Sequence, residues 1–302
     1  MKVFVTGANG QVGHDVMKEL AARNYQRIGS GTGKAVFDTT GAVYIPLDIR
    51  DEAAVIRVIA ENRPDAVVHC ASWTAVDAAE LTENQKTVYD VNVQGTTYLA
   101  RACAAIGCKL IYLSTDYVFD GSGSTPWIPD TERFAPLNVY GKSKLEGELA
   151  IKRLMEKHFI VRISWVFGKN GRNFVQTMLN LGQTCKNIRV VNDQVGTPTY
   201  TRDIAKLLVD MLETEKYGVY HATNEGGYIS WATFAREIFR QTGMNTDVIP
   251  VTTAQYGLST AIRPLNSRLD KHKLAENGFH LLPIWQNALA RYLKEIEHES
   301  QF

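Results

Sequence analysis

Short apolar runs alternate with longer stretches in which apolar residues recur every three or four positions through the first half of the chain. The short runs predict strands, and the longer stretches predict amphipathic helices. The predicted strands are 2–6, 65–70, 109–114 and 159–164, with two more in YQRIG and AVYIPL, and the predicted helices lie near 11–23, 51–62, 83–105 and 139–156. This alternation indicates an α/β fold with a doubly wound parallel sheet of the Rossmann type. Ligands of such sheets bind at the carboxyl ends of the strands.

The regular alternation ends after Trp165. Segments such as IRVVNDQVGTPTYTRDIAKLL mix short strands with helices, and Pro250, Pro264 and Pro283 interrupt the last third of the chain. We therefore expect a first domain over 1–165, completed by part of 190–225. A smaller C-terminal α/β substrate-binding region over 166–302 is expected to cover the ligand edge of the sheet.

Composition excludes several classes of function. The 302 residues carry 33 basic and 32 acidic side chains, so no net field attracts nucleic acid or an anionic membrane. No run of 18 apolar residues predicts a spanning helix, and MKVFVTGANG enters directly on a strand without a leader. The four cysteines lack CxxC spacing, which favours reduced thiols over disulfides or a zinc site. We expect a cytoplasmic monomer or homodimer that acts on a small molecule.

A glycine-rich turn lies between the first strand and the first helix, in VTGANGQVG. Glycine lets the backbone approach a pyrophosphate, and the helix N-terminus offers free N–H groups and a positive dipole. A turn that serves packing alone is the competing interpretation, but the position after a strand and before a helix favours dinucleotide binding. The candidate cofactor-binding residues here are Gly7, Asn9, Gly10, Gln11, Val12 and Gly13.

The segment after the second strand, IGSGTGKA, contains no acid that would bind a free ribose 2′-hydroxyl. Ser30, Thr32 and Lys34 can instead bind or neutralise a 2′-phosphate, so NADP(H) is favoured and NAD(H) remains possible. The alternative is a mobile surface loop. Asp48 and Ile49 close the third strand and are candidates for the adenine, although a helix N-cap role for Asp48 or Asp51 competes.

The chemistry-bearing residues follow the fifth strand and begin the next helix. Thr115 and Asp116 in LSTDYVFDG fall at the ligand edge, while Tyr140 and Lys144 in NVYGKSKLEGE share one helix face. Hydride transfer to a ketone builds negative charge on oxygen, which needs a hydrogen bond and a proton. Thr115 can supply the first and Tyr140 the second. We expect the ammonium of Lys144 to lower the pKa of the phenol towards neutrality and to hold the nicotinamide ribose.

A further candidate for the cofactor side is Asn92 in YDVNVQGTTYLA. Its amide can fix the helix backbone or a water in the proton path. A plain core-facing amide is an equally good interpretation.

Several motifs together resemble the extended short-chain dehydrogenase/reductases. They are TGANGQVG, CASWTAVDAAE, NVQGT, STDYVFDG, NVYGKSKLEGE, RISWVFG, DQVGTPTYTRDIA and RPLNSRLD, and they extend over nearly the whole chain. Within that superfamily the resemblance is closest to the dTDP-4-dehydrorhamnose reductase family. The resemblance implies that NAD(P)H reduces the C4 ketone of dTDP-4-dehydro-β-L-rhamnose, a step in polysaccharide precursor synthesis.

The resemblance also implies roles for individual residues. Tyr140 is the general acid, with Thr115 and Lys144 assisting it. Thr115, Asp116, Tyr140 and Trp165 contact the sugar, although a Trp in RISWVFG can equally belong to the core. The cofactor is lined by Cys70, Ala71 and Ser72.

Related activities remain as alternatives. Nucleotide-sugar dehydratases have Asp-Glu after the threonine, whereas Asp116 is followed here by Tyr117, so elimination is disfavoured. An epimerase or another nucleotide-sugar reductase of the superfamily shares the motifs. A chain of this type can also serve as a non-catalytic cofactor-binding regulatory subunit, but Thr115, Tyr140 and Lys144 are all present.

Some positions depart from the family pattern or carry weaker support. Trp73 replaces the more usual Tyr or His, and the second-strand segment 26–44 is unusually long. Asp15 resembles one ligand of the metal-bridged dimers of some members, but CKNIRVV lacks the expected acidic partner, so we predict no metal. Val76 and Asp77 are expected near the pocket, with a structural role for Asp77 as the alternative. Candidates for the nucleotide diphosphate are Arg162, Gln194, Thr197 and Arg263.

Overall fold

A seven-stranded parallel sheet forms the centre of the protein in the computed structural model, which describes residues 1–36 and 40–299, apart from the side chains of 298 and 299. Its strands are β1 (Lys2–Thr6), β2 (Gln26–Gly31), β3 (Ala42–Pro46), β4 (Ala66–His69), β5 (Lys109–Thr115), β6 (His158–Ile163) and β11 (Gly218–His221). They lie in the order β11-β6-β5-β4-β1-β2-β3, and each neighbouring pair is parallel. The predicted doubly wound α/β sheet is confirmed.

Helices cover both faces of this sheet because successive strand residues point to opposite sides. Val3 and Val5 pack against α1 (Gln11–Ala22) and α8 (Thr201–Leu212), and Phe4 belongs to the other core, under α2 (Glu52–Asn62), α5 (Thr96–Ile106) and α6 (Val139–Leu154). The chain therefore returns after residue 200 to add a helix and the strand β11 to the first domain.

The long helix expected over 83–105 is interrupted in the structure. The short helix α3 (Val76–Ala79) precedes the segment, which itself forms α4 (Thr82–Tyr89), a π-helical turn over Asp90–Gly95 and then α5. A Cβ added to Gly95 would lie 2.7 Å from Cγ1 of Ile49, so glycine allows this part of the helix to press on the loop after β3. π-helical turns are rare and often lie at functional sites.

The C-terminal region is a set of small two-stranded sheets and helices over one end of the central sheet. Its core is formed by the buried side chains of three main helices, among them Phe234, Ile238 and Leu289. Its strands are β7 (Val166–Phe167), β8 (Asn187–Val191), β9 (Val195–Gly196), β10 (Thr199–Tyr200), β12 (Asn224–Glu225), β13 (Ile229–Ser230), β14 (Asp247–Val251) and β15 (Leu282–Ile284). Its helices are α7 (Phe174–Gly182), α9 (Trp231–Thr242), α10 (Thr253–Tyr256), α11 (His272–Glu276) and α12 (Trp285–Glu299).

None of the helices within the described ranges has both the length and the apolar character that a membrane span requires.

Candidate active site

The glycine turn between β1 and α1 is tightly packed against its surroundings. Gly7 has φ +63°, and a Cβ added to it would lie 2.6 Å from the backbone nitrogen of Ala71. A Cβ on Gly13 would overlap the carbonyl oxygen of Gly7. Gly10 is the N-cap of α1 and supplies no side-chain cap, so the N-terminal N–H groups of the helix face the turn without a side-chain acceptor. Backbone groups arranged in this way suit a pyrophosphate.

One cleft at the carboxyl ends of β1, β4, β5 and β6 collects most of the predicted site residues. This central cleft has a volume of about 360 Å³. Predicted residues that line it are Gly10, Gln11, Val12, Gly13, Cys70, Ser72, Val76, Thr115, Asp116, Tyr140, Lys144 and Trp165. The structure therefore brings the glycine turn and the Thr-Tyr-Lys set together around one cavity.

Asn9 anchors the loop that follows β2. Its Nδ2 donates to the carbonyl oxygen of Lys34 at 2.9 Å, and its Oδ1 accepts from the backbone nitrogen of Val36 at 3.1 Å. Thr32 and Lys34 are exposed on this loop. Ser30 differs from the expectation, because it is only 1% exposed and its hydroxyl points into the protein. The structure thus gives no support to Ser30 as a ligand of a 2′-phosphate, since an anion cannot reach a hydroxyl inside the sheet.

The two residues assigned to adenine are engaged with other protein groups. Asp48 forms a salt bridge with Arg50 at 2.6 Å, and Ile49 is 5% exposed in the core under α2 and α5. Neither lines the central cleft. The competing N-cap role belongs to Asp51, whose side chain accepts from the backbone nitrogen of Ala54 at 3.0 Å. The expectation for Asp48 and Ile49 remains a prediction without direct geometric support.

Asn92 connects the π-helical turn to the loop after β4. Its Oδ1 accepts from the hydroxyl of Ser72 at 2.9 Å and from the backbone nitrogen of Trp73 at 2.8 Å. Its Nδ2 donates to the hydroxyl of Ser143 at 2.9 Å. The side chain is 1% exposed and does not line the central cleft, so these contacts favour positioning of the loop over direct contact with a cofactor.

A buried histidine, His69, also supports the loop after β4 through hydrogen bonds to two threonines. The Nδ1 of His69 is 2.7 Å from the hydroxyl of Thr6, and its Nε2 is 3.0 Å from the hydroxyl of Thr96. Because Thr96 donates to the carbonyl oxygen of Asn92, it accepts from Nε2–H, and Thr6 donates to Nδ1. Thr6 also accepts from the backbone nitrogen of Ala71 at 3.3 Å. Burial lowers the pKa of His69 to about 3, so the ring is neutral and holds a single tautomer.

The hydroxyl groups at the end of β5 and the start of α6 meet in the central cleft. Thr115 donates to Oδ1 of Asp116 at 3.1 Å and lines the central cleft together with Tyr140. The ring of Tyr117 meets that of Tyr140 edge-on, with centroids 5.7 Å apart. The hydroxyl of Ser114 is buried on the cleft wall without a partner among the described residues. Burial raises the pKa of Asp116 to about 6.

The electrostatics of the Tyr-Lys pair differ from the expectation. Burial raises the pKa of Tyr140 above its ordinary value, and Lys144 is not among the groups that shift it. The ammonium of Lys144 donates instead to the carbonyl oxygen of Leu113 at 2.7 Å and lies 4.0 Å from the ring centroid of Tyr112. Burial lowers the pKa of Lys144 to about 7. The expected lowering of the phenol pKa by this lysine therefore has no support in the protein alone, where desolvation raises that pKa, and it stays a prediction.

A second and larger cleft adjoins the central one. This outer cleft has a volume of about 1000 Å³, and Tyr117 and Trp231 line both cavities. Arg263 lies on its wall, where it donates to Asp77 at 2.5 Å and to the phenol of Tyr117 at 3.1 Å. Gln194 lines it as well. Asp77 additionally accepts from the backbone of residues 260 and 261, which supports its structural interpretation.

Two of the candidates for the diphosphate are not available to a ligand. Arg162 is wholly buried and pairs with Glu148 at 2.7 Å, and its guanidinium lies 5.1 Å from the ring centroid of Phe119. Thr197 is 1% exposed and donates to the carbonyl oxygen of Gly227. The expectation for Arg162 is wrong, because a guanidinium in RISWVFG faces the core under β6 and not the cleft.

Trp231 and Ser114 are among the lining residues that were not predicted from the sequence. Trp231 begins α9 after the N-cap Ser230, and its ring lies parallel to that of Trp165 at a centroid distance of 3.7 Å. The sequence carries no sign of this pairing, since the two residues lie in different elements. Ser114 belongs to the recognised motif, and its position at the end of a strand was an available signal.

The described residues contain no group of three or more His, Cys, Asp or Glu side chains arranged to hold a metal ion. Asp15 is 3% exposed and accepts from the hydroxyl of Thr201 at 2.5 Å. Burial raises the pKa of this carboxyl group.

The fold and the cleft define a class of protein. A doubly wound parallel sheet, a glycine turn before α1 and a Thr-Tyr-Lys set at the same sheet edge are the features of the extended short-chain dehydrogenase/reductases, as the motifs implied. The model of one family, described as RmlD substrate binding domain, matches residues 1–298. The chain belongs to this family.

Individual relatives cover almost the whole chain. The dTDP-4-dehydrorhamnose reductase of Aggregatibacter actinomycetemcomitans is 38% identical over 95% of this chain and 97% of its own length. The spore coat polysaccharide biosynthesis protein SpsK of Bacillus subtilis (strain 168) is 37% identical over 97% of both chains. Among solved structures, dTDP-4-dehydrorhamnose reductase from Bacillus anthracis str. Ames in complex with NADP is 39% identical, with a TM-score of 0.88 over 98% of this chain and 100% of that chain.

Proposed function

We propose that the protein is an NADPH-dependent reductase that converts dTDP-4-dehydro-β-L-rhamnose to dTDP-L-rhamnose. The observation that carries this proposal is that Thr115, Tyr140 and Lys144 line one cleft together with the glycine turn. The names of relatives with 37 to 39% identity over nearly the full chain support it. A complete Thr-Tyr-Lys set argues against the regulatory-subunit alternative.

The residues present fit a dinucleotide phosphate. The turn over Gly7, Gly10 and Gly13 leaves no room for side chains between the backbone of α1 and the loop after β4. We assign the pyrophosphate to the backbone of Gly10, Gln11 and Val12, and the 2′-phosphate to the exposed Thr32 and Lys34. The Bacillus anthracis relative was solved in complex with NADP, which supports NADPH as the cofactor of this chain.

The proton in the reaction comes from Tyr140. When bound, NADPH supplies the hydride that reduces the carbonyl carbon of the keto-sugar. Negative charge then develops on the carbonyl oxygen, and the phenol of Tyr140 donates its proton there. The raised pKa of this phenol suits reduction, because the group stays protonated at neutral pH. In this proposal the hydroxyl of Thr115 supplies a hydrogen bond to the developing negative charge, and the ammonium of Lys144 adds positive charge nearby.

The two clefts suit the two halves of a nucleotide sugar. We assign the deoxyhexose to the central cleft, between Asp116 and the indole of Trp165, because an indole ring covers the apolar face of a sugar. The nucleotide belongs to the outer cleft, where Arg263 and Gln194 offer donors for phosphate oxygens. A cytoplasmic location and a monomeric or homodimeric state complete the proposal.

The decisive experiment mixes purified protein with NADPH and the dTDP-linked 4-keto-sugar and follows the nicotinamide absorbance. We expect absorbance to fall with formation of dTDP-L-rhamnose. Absence of any loss by the wild-type protein would contradict the proposal and favour the regulatory alternative. Retention of the hydride on the same sugar with a change of stereochemistry would identify an epimerase instead.

Tyr140→Phe tests the assignment of the acid. It removes only the hydroxyl, so the turnover should fall by about 10²- to 10⁴-fold. The dissociation constant for NADPH should stay within about threefold of wild type, because the ring and its packing remain. Tyr98→Phe is the matched control, since Tyr98 packs against the core under α5, away from both clefts. Nearly unchanged turnover in Tyr140→Phe would exclude this phenol as the proton donor.

A further inference from the structure

Trp165 has an unusual backbone conformation. Its φ is +50°, in the left-handed region that non-glycine residues with large side chains rarely adopt. The other non-glycine residues with positive φ among those described are Asn24 and Arg63, and both follow the end of a helix, where this conformation is common. Trp165 instead follows strand β6 and lines the central cleft. Such strain persists only where the surroundings impose it, and it gathers at binding sites.

The backbone on both sides of Trp165 is tied to the segment 197–199. The hydroxyl of Ser164 donates to the carbonyl oxygen of Thr197 at 2.9 Å, and the hydroxyl of Thr199 donates to the carbonyl oxygen of Ser164 at 2.6 Å. The carbonyl oxygen of Trp165 accepts from the backbone nitrogen of Thr199 at 3.1 Å. These bonds fix the path of the chain, but they do not by themselves orient the indole.

The indole is held by two neighbours from the C-terminal region. Trp231 lies against it with the ring centroids 3.7 Å apart and an angle of 14° between the planes. A Cβ added to Gly196 would lie 3.0 Å from Cε2 and 3.1 Å from Nε1 of the Trp165 ring, so only glycine lets the ring approach this closely. Trp231 is supported in turn by Phe174, with a centroid distance of 4.5 Å. The orientation of Trp165 is therefore set by residues far from it in sequence.

We propose that Trp231 is a positioning residue for the nucleotide-sugar substrate and acts through Trp165. The indole of Trp231 stacks on the indole of Trp165 and holds it in the orientation in which the Trp165 ring lines the central cleft. Because Trp231 lines the outer cleft as well, the stacked pair lies where the two cavities adjoin. The pair thus sets the angle between the pyranose ring in the central cleft and the nucleotide in the outer cleft. This inference rests on the proposed function, since it concerns the substrate of the same cleft.

The main test compares Trp231→Phe and Trp231→Leu in the reductase assay. Loss of the stacking partner in Trp231→Leu should raise KM for the nucleotide sugar about fivefold to tenfold. The dissociation constant for NADPH should stay within about twofold, because the glycine turn is untouched. Trp231→Phe keeps an aromatic face and should show a smaller increase in KM. A role in folding alone would instead lower thermal stability without separating KM from NADPH affinity, and that result would overturn the proposal.

A double-mutant cycle tests whether Trp231 acts through Trp165. Trp165→Leu, Trp231→Leu and the double variant are compared by KM for the nucleotide sugar. If the second indole acts only through the first, the double variant is no worse than Trp165→Leu alone. Independent, additive increases would refute the proposal, because they would mean that Trp231 contributes by a separate route.

A spectroscopic readout is independent of turnover. Two stacked indoles at this distance perturb each other's near-ultraviolet transitions, so the wild-type circular dichroism spectrum should contain a contribution from the pair that disappears in Trp231→Phe. Trp285→Phe is the matched control, because it removes a buried indole of the same C-terminal core that is not part of the pair. Gly196→Ala should weaken the contribution of the pair and raise KM, since the added methyl group displaces the Trp165 ring. A Trp231→Phe spectrum that departs from wild type no more than the Trp285→Phe spectrum does would overturn the inference even if the protein reduces the keto-sugar. A signal from the stacked pair in a protein without reductase activity would instead count against the proposed function.

Discussion

The buried lysine in the central cleft allows a prediction that links stability to activity. The side chain of Lys144 is 3% exposed, and burial lowers its pKa from 10.5 to about 7. At about 1.4 kcal/mol per pKa unit, this lowering corresponds to about 5 kcal/mol of differential interaction. The folded-state pKa lies below the unfolded one, so the unfolded chain binds more protons between about pH 7 and 10.5. Stability should therefore rise with pH across this window, and the full cost of the buried charge is present below about pH 7.

Lys144→Met removes the charge and keeps an unbranched side chain of similar length. Near pH 6.5 we expect the variant to be more stable than wild type by up to about 4 kcal/mol, after subtracting about 1 kcal/mol for the lost bond to Leu113. The difference should shrink towards zero near pH 10. Turnover should nevertheless fall by at least about 100-fold, because the variant lacks the positive charge that the proposed mechanism uses in the central cleft.

Urea unfolding of both proteins at several values between about pH 6.5 and 10 measures this difference directly. Lys142→Met is the control, since Lys142 is exposed on the same helix and its removal should give no pH-dependent difference. If Lys144→Met were less stable than wild type near pH 6.5, or if the difference did not vary with pH, the assignment of a costly buried charge would be refuted.

Three further predictions concern residues around the site. Burial lowers the pKa of His69 to about 3, so the unfolded chain binds the proton first, and the free energy of unfolding of wild type should fall by about 2 kcal/mol between about pH 6.5 and 5. His69→Asn should show a shallower fall in acid urea unfolding, and equal slopes would contradict this. Glu148→Ala leaves the guanidinium of Arg162 buried without a charged partner and should cost about 3 to 5 kcal/mol in thermal or urea unfolding. A loss under about 1 kcal/mol would count against the buried ion pair. Gly13→Ala places a methyl group against a backbone oxygen of the turn and should weaken NADPH binding more than tenfold in a fluorescence titration. The control is Gly33→Ala, whose methyl group meets no neighbouring atom and should leave the affinity unchanged. Equal affinities of the two variants would refute the tight turn.

The candidate site was largely predictable where its residues belong to one local pattern. Gly7, Gly10 and Gly13 form a single turn between a strand and a helix, and the structure places that turn at the predicted edge. Thr115 ends a strand and Tyr140 begins a helix, so the alternation of elements already puts both near the ligand. Such assignments need only the spacing of residues within an element and the rule that parallel strands end together.

Predictions about individual polar side chains were less successful. Ser30 and Arg162 have the chemistry of phosphate ligands, but both are buried within the folded sheet. A residue one position along a strand points to the opposite face, so a sequence motif at a strand end does not show which side chain is accessible. The interruption of the long helix at Asp90–Gly95 was missed for a related reason, because a π-helical turn has no strong local signal.

The alternation of strands and helices, the glycine turn and the Thr-Tyr-Lys set were determined by the sequence alone, because short-range periodicity and backbone sterics act between residues close in the chain. The tertiary structure alone decided that Trp165 stacks on Trp231, that Asp77 pairs with Arg263, and in which direction the pKa of Lys144 moves. Stacking, ion pairing and desolvation depend on which atoms surround a group in space. In this protein those atoms come from segments that become neighbours only when the chain has folded.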